Sequence, residues 1–113
     1  MAEDKKDLFD TDILIDGSRR HLPLRGFTTI LNVIEFPKAL ELEDLEALEP
    51  TLEEYELAVE LAVRLLQRGT PVPAVDLVVS AVAIRRGLTL RSRDPHYECV
   101  KAVAPRLEMG GSG

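Results

Sequence analysis

The longest nearly unbroken apolar pattern in the chain runs from Leu77 to Ile84, where Ser80 is the only polar residue. A segment apolar on every side belongs in the interior rather than on a half-solvated surface. Pro73 suits a first helical position, Arg85 and Arg86 suit a last turn, and Gly87 suits a helix stop. The valines would also permit a strand. A length of about fourteen residues between the Pro start and the Gly stop favours a helix. Leu88 to Ser92 then alternates apolar and polar positions, the period of a strand.

A second pattern is amphipathic. Thr51 and Glu54 read as a capping box, opening a helix that runs to Arg68 and stops at Gly69. Tyr55, Ala58, Val59, Ala62, Leu65 and Leu66 are expected as its core stripe, with Glu53, Glu56, Glu60 and Arg64 facing solvent. Elsewhere the apolar runs are short. Leu8-Phe9 reads as a buried strand closing on Asp10-Thr11-Asp12, and Ile13 begins a helix or turn. Gly17 to Gly26 is expected as a loop. Phe27-Thr28-Thr29 reads as a second strand, and Thr29 can cap a helix starting at Ile30 and ending at Pro37. Leu45 to Leu48 is expected as a third strand, Pro95 to Val103 as a short helix, and Arg106 to Met109 as an edge strand. Strands alternating with helices predict an α/β fold, a three-layer sandwich whose central parallel sheet has four or five strands and helices on both faces.

That architecture brings distant residues together. If the strand at Leu88 joins a parallel sheet, the helix before it runs antiparallel over about 21 Å. The helix start and the strand end then share one edge, so Asp76 and Asp94 face one crevice. Asp10 ends the first strand at that edge. The spacing of three puts Thr29, Asn32 and Glu35 along one helical face. Singly, each acid has an ordinary structural reading: Asp76 on a helix dipole, Asp94 in a turn, Glu35 on a solvated face. Together, Asp10, Glu35, Asp76 and Asp94 would repel one another unless a cation neutralises them. Mg²⁺ or Mn²⁺ suits such an oxygen set, and either would polarise a phosphoryl oxygen and acidify a bound water.

Composition narrows the setting. At 113 residues the chain is long enough for one core and too short for two, and 45% hydrophobic with 30% charged residues describes a soluble globular protein. The domain is expected to span residues 1–109, with the run from Gly110 to Gly113 as a flexible tail. No run is long enough to span a membrane and the N-terminus is no signal peptide, so a cytoplasmic protein is expected. A lone Cys99 excludes an internal disulfide and reads as a small half-buried hydrophobe. The net charge of −6 argues against coating nucleic acid by bulk attraction. It is compatible with an acidic metal site acting on RNA. Asn32 and Gln67 are the only side-chain amides, a balance that hints at a thermophilic source.

Four motifs in order resemble the PIN-domain ribonucleases, and among them the compact VapC toxins of VapBC toxin–antitoxin pairs. Asp10 in LFDTDILID matches the family's opening acid, and Thr29, Asn32 and Glu35 in TTILNVIEF match its series spaced by three. Asp76 in GTPVPAVD matches its helix-leading acid, and Ser92, Asp94 and Tyr97 in RSRDPHY match its closing motif. The resemblance covers about Leu8 to Met109. It implies a Mg²⁺- or Mn²⁺-dependent endoribonuclease, usually a homodimer restrained by an antitoxin. In that reading Asp10, Asp76, Asp94 and Glu35 hold the metal, with Asp12, Thr29, Asn32 and Ser92 in support. The chain departs from the pattern at Asp12, where the family usually has Asn or Ser, and at Asn32, where it usually has Thr. The segments after Asp16 and after Glu35 are short.

Two other readings compete. One is a PIN-fold interaction module without turnover. The other takes Asp10-Thr11-Asp12 as the opening of a haloacid-dehalogenase-like phosphatase with Asp10 as nucleophile. That family also needs a downstream Lys, for which Lys38 and Lys101 are poorly placed. Arg19, Arg20 and Arg93 are candidate phosphate contacts, because the planar guanidinium matches phosphate oxygens. A His-centred metal site is not expected, since His21 and His96 lack ligand-like spacing to each other or to Cys99. Leu22, Leu24 and Leu40 are expected to be covered by a second copy or an antitoxin helix.

Overall fold

The computed structural model describes residues 6–110. Residues 1–5, and the expected tail beyond its first residue, Gly110, lie outside the described residues. Five short strands form one sheet: β1 (Asp7–Phe9), β2 (Gly26–Thr29), β3 (Leu45–Leu48), β4 (Thr89–Arg91) and β5 (Glu108–Met109). Their order across the sheet is β3-β2-β1-β4-β5, and every pairing is parallel. The helices are α1 (Thr11–Arg19), α2 (Ile30–Glu35), α3 (Leu52–Arg68), α4 (Ala74–Arg86) and α5 (His96–Val103). A 3₁₀ turn over Pro37–Glu41 follows α2.

The pleat of β1 separates two cores. Leu8 belongs to the larger cluster with Leu61, Leu65, Val79, Val82, Leu90, Tyr97 and Val100, built from α3, α4 and α5. Its neighbour Phe9 points the other way, into a smaller cluster with Leu14 and Ala39 from α1 and the 3₁₀ turn. Consecutive side chains on opposite faces thus produce the three layers. α4 is buried from Asp76 through Ala83, as its all-round apolar pattern requires. Gly87 closes it in the left-handed region at φ 65°. Pro73 serves as its N-cap, one residue earlier than expected.

Two expectations are corrected. Residues Gly17 to Arg19 are the last turn of α1 rather than the start of a loop. Gly17 is there for packing: a Cβ would stand 2.7 Å from Leu24 Cδ1. The core face of α3 is also rotated from the expected stripe. Ala58, Leu61 and Leu65 are buried, whereas Tyr55, Val59 and Leu66 are exposed. Glu54, expected only as a cap, is buried on that inner face at 2% exposure. It accepts from Arg86 Nε (2.7 Å) and Nη2 (3.0 Å), clamping the start of α3 to the end of α4. Leu24 is half-buried against the smaller core, while Leu22 and Leu40 are exposed.

Candidate functional site

Parallel strands place all their C-terminal ends on one edge, and short returns bring helix starts to the same edge. Asp10 follows β1 as the N-cap residue of α1. Asp76 is in the first turn of α4, and Asp94 lies between β4 and α5. Glu35 ends α2. These four acids line one cleft of about 390 Å³ with Thr11, Asp12, Pro73 and His96.

Asp10 is held from both sides. Asn32 Nδ2 donates to its Oδ1 at 3.0 Å, and Ser92 Oγ donates to its Oδ2 at 2.9 Å. Asn32 is itself fixed by a capping box with Thr29, whose hydroxyl donates to Asn32 Oδ1 at 2.6 Å. Asn32 Nδ2 also reaches Thr11 Oγ1 at 2.9 Å, and that hydroxyl donates to Glu35 Oε1 at 2.6 Å. The expected supporting residues Thr29, Asn32 and Ser92 therefore do connect the acids. Asp12 lines the cleft but is tied to the segment after β4: its Oδ2 accepts the Arg93 amide at 2.8 Å, and its Oδ1 lies 3.3 Å from Ser92 Oγ. Ser92 Oγ also accepts the Asp94 amide at 3.1 Å.

The electrostatics follow from burial with no Lys or Arg among the described residues paired to these acids. Asp10 is 5% exposed and Asp76 is 8% exposed. Burial pushes the Asp10 carboxyl above its ordinary range, against the Ser92 hydrogen bond and with repulsion from Asp12. Burial likewise raises Asp76, aided by repulsion from Asp10 and Asp94 and opposed by His96. Tyr97 is fully buried behind them and donates to Asp76 Oδ1 at 3.3 Å. Burial, then the two carboxylates, raise its phenol far above the usual value, so it stays a neutral donor. Among the described residues no Lys or Arg forms an ion pair with Asp10, Glu35, Asp76 or Asp94.

His96 is the residue that sequence reasoning missed. Its Nδ1 lies 3.0 Å from Asp76 Oδ2 and 3.1 Å from Asp94 Oδ1. One donor atom from each of these three residues falls within 4.8 Å of the others, a group able to hold a cation. The expectation against a His-centred site rested on spacing to other His and Cys residues and did not weigh carboxylate partners from other elements. Two hard carboxylates, one imidazole and three more acids on the same cleft fit a divalent ion. The candidate phosphate contacts gather elsewhere. Arg20 and Arg93 both pair with Asp16 at 3.3 Å, and Arg19 lines a neighbouring hollow with Asp12, Ile15, Asp16 and Arg93.

Fold and site together define a PIN-like α/β domain with an acidic cleft at the carboxyl edge of its sheet. Solved structures of VapBC complexes share this fold. VapBC2 from Rickettsia felis, bound to a promoter DNA fragment, superposes with a TM-score of 0.76 at 16% identity, covering 92% of this chain and 96% of that one. DNA-bound VapBC from Salmonella typhimurium gives 0.74 at 18% identity, covering 95% and 98%. VapBC-5 from Mycobacterium tuberculosis gives 0.73 at 21% identity, covering 91% and 95%. No protein-family model and no curated protein matches the sequence. Among the described residues no helix is long and apolar enough to cross a membrane.

Proposed function

We propose that this protein is a Mg²⁺- or Mn²⁺-dependent endoribonuclease and the toxin of a toxin–antitoxin pair. One observation carries the nuclease reading: two buried carboxylates, Asp10 and Asp76, converge with Asp94 and Glu35 in one cleft without a Lys or Arg to neutralise them. The shared fold with VapBC structures supports the toxin assignment. Asp10, Asp76 and Asp94 would hold the ion, with Glu35 at the cleft mouth. The ion supplies charge neutralisation at the phosphate and acidifies the attacking water. Glu35 is exposed and oriented by Thr11 through Oε1, which leaves Oε2 to orient that water and take its proton. Tyr97 keeps a neutral hydroxyl on Asp76 and holds that ligand in place. Arg20 and Arg93 would exchange Asp16 for flanking RNA phosphates, and Arg19, which lines the same hollow as Asp16 and Arg93, would add a third contact.

The partners proposed on the same reading are a second copy and an antitoxin. α3 carries an outward apolar stripe of Leu52, Tyr55, Val59, Val63 and Leu66, suited to a homodimer. Ile30 and Ile34, one turn apart on α2, and Leu40 in the 3₁₀ turn that follows are also exposed and would suit an antitoxin segment. The test is cleavage of single-stranded RNA by purified protein with Mn²⁺, with Mg²⁺ and in chelator, for wild type and Asp10→Asn. Metal-dependent cleavage that Asp10→Asn abolishes is expected. Cleavage undiminished in chelator would overturn the mechanism. Mapping of 5′ ends in cellular RNA after induced expression would then identify the cut site, one dominant loop being the expected pattern.

A further inference from the structure

His96 is placed as a ligand is placed. It opens α5, and its own backbone N–H donates to Asp94 Oδ1 at 2.9 Å. The same oxygen lies 3.1 Å from its ring Nδ1, so main chain and side chain grip one carboxylate. Tyr97, the next residue, is fully buried with its hydroxyl on Asp76, which pins the start of α5 against the start of α4. The ring is therefore fixed between Asp76 and Asp94 by elements already packed for other reasons. Its Nε2 has no hydrogen-bond partner among the described residues, and the side chain is 44% exposed.

Donor atoms on neighbouring corners of a coordination sphere with bonds of about 2.1 Å stand about 3 Å apart. Nδ1 has that spacing to Asp76 Oδ2 and to Asp94 Oδ1, and one donor atom from each of the three residues falls within 4.8 Å of the others. We propose that His96 Nδ1 binds the divalent ion of this site directly and biases it toward Mn²⁺ over Mg²⁺. Mg²⁺ keeps to oxygen and water in a strict octahedron, whereas Mn²⁺, although the weakest first-row transition ion for nitrogen and itself well served by oxygen, tolerates an imidazole better than Mg²⁺ does. Ligation needs the Nδ1 lone pair, so in the loaded protein the ring carries its proton on Nε2. A ring that merely orients Asp76 and Asp94 would support both metals equally. This inference rests on the metal reading above.

The test is calorimetric binding of Mn²⁺ and of Mg²⁺ to chelator-stripped wild type and His96→Asn, with thermal unfolding as the folding control. His96→Asn should lose about tenfold or more in Mn²⁺ affinity. Its Mg²⁺ affinity should change by less than about threefold, because the amide offers oxygen in place of nitrogen. Long-range ¹H–¹⁵N spectra of wild type titrated with Zn²⁺ read the ligand directly, and a metal-bound Nδ1 with a protonated Nε2 is expected. Equal losses for both ions, or a protonated Nδ1 in the loaded protein, would overturn the role of His96 and leave the metal site standing. Failure of wild type to bind any of the three ions would overturn the metal reading itself.

Discussion

Asp10 shows how much of this cleft depends on single hydrogen bonds. Its two oxygens are claimed by Asn32 and Ser92, which aim the carboxylate and leave it desolvated. Ser92 does three things at once: it donates to Asp10, lies 3.3 Å from Asp12 and accepts the Asp94 amide. Ser92→Ala should therefore cost about 10–100-fold in Mn²⁺ affinity while the circular-dichroism spectrum is unchanged, since outer-shell partners of metal ligands have effects of that size. Asp10→Asn should reduce metal-dependent cleavage by more than that. It should also raise the melting temperature of the metal-free protein at neutral pH, because it removes a buried like charge beside Asp76. A lower melting temperature would show that the Asp10 charge stabilises the metal-free fold.

Among the elements, α3 and α4 are joined by more than apolar packing. Burial pushes Glu54 up, but the hydrogen bonds from Arg86 and Thr51 outweigh it and hold the carboxyl below its ordinary value. Arg86 is correspondingly raised, chiefly by the hydrogen bond to Glu54. The same Glu54 carboxylate accepts the Thr51 amide at 2.8 Å, completing the capping box. Glu54→Ala thus breaks a cap and an ion pair together. Arg86 is 29% exposed and can turn to water, which discounts the penalty of an orphaned buried charge. Loss of about 2–3 kcal/mol in urea unfolding is expected, the range for a buried hydrogen bond to a charged group plus its cap. A loss under about 0.5 kcal/mol would mean the clamp adds nothing beyond packing.

At the scale of the whole molecule, the two kinds of carboxylate oppose each other in acid. Asp10 and Asp76 bind protons more tightly folded than unfolded, because their pKa values are raised above the usual 3.8. Their ionisation thus weighs against the fold at neutral pH. Stability should rise as pH falls through the raised values, levelling near 3.8. Glu54, lowered from 4.5, contributes stability that is present above that value and lost as pH falls through its folded value. Metal-free protein should therefore melt highest in mild acid, and Mn²⁺ should raise the melting temperature at neutral pH by binding the folded state alone. A melting profile flat between neutral and mildly acidic pH, in chelator, would contradict this. The exposed stripe on α3 belongs to the same scale. Paired Val59→Glu and Leu66→Glu changes should leave the fold intact and yield a monomer in sedimentation velocity, if that face joins two copies.

The chain by itself determined the order of elements and which four acids share the cleft. Local chemistry was sufficient wherever a residue's role depends on near neighbours. Thr29 and Thr51 as caps, Gly69 and Gly87 as stops, and the all-round burial of α4 are of this kind. Asp76 and Asp94 could be placed on one edge because a short return after a helix leaves no other choice. Tertiary structure decided what periodicity leaves open. α3 is apolar on two faces, so its sequence fits either stripe, and only packing on the sheet and α4 selected Ala58, Leu61 and Leu65. Gly17 reads locally as a breaker but is a small residue under Leu24. Glu54 looked like a cap alone until α4 brought Arg86 to it from 32 positions away. His96 met Asp76 in the same way, across 20 positions, because two helix starts were pressed together by a buried tyrosine. Contacts between residues far apart in sequence are set by how whole elements pack, and no local pattern encodes them.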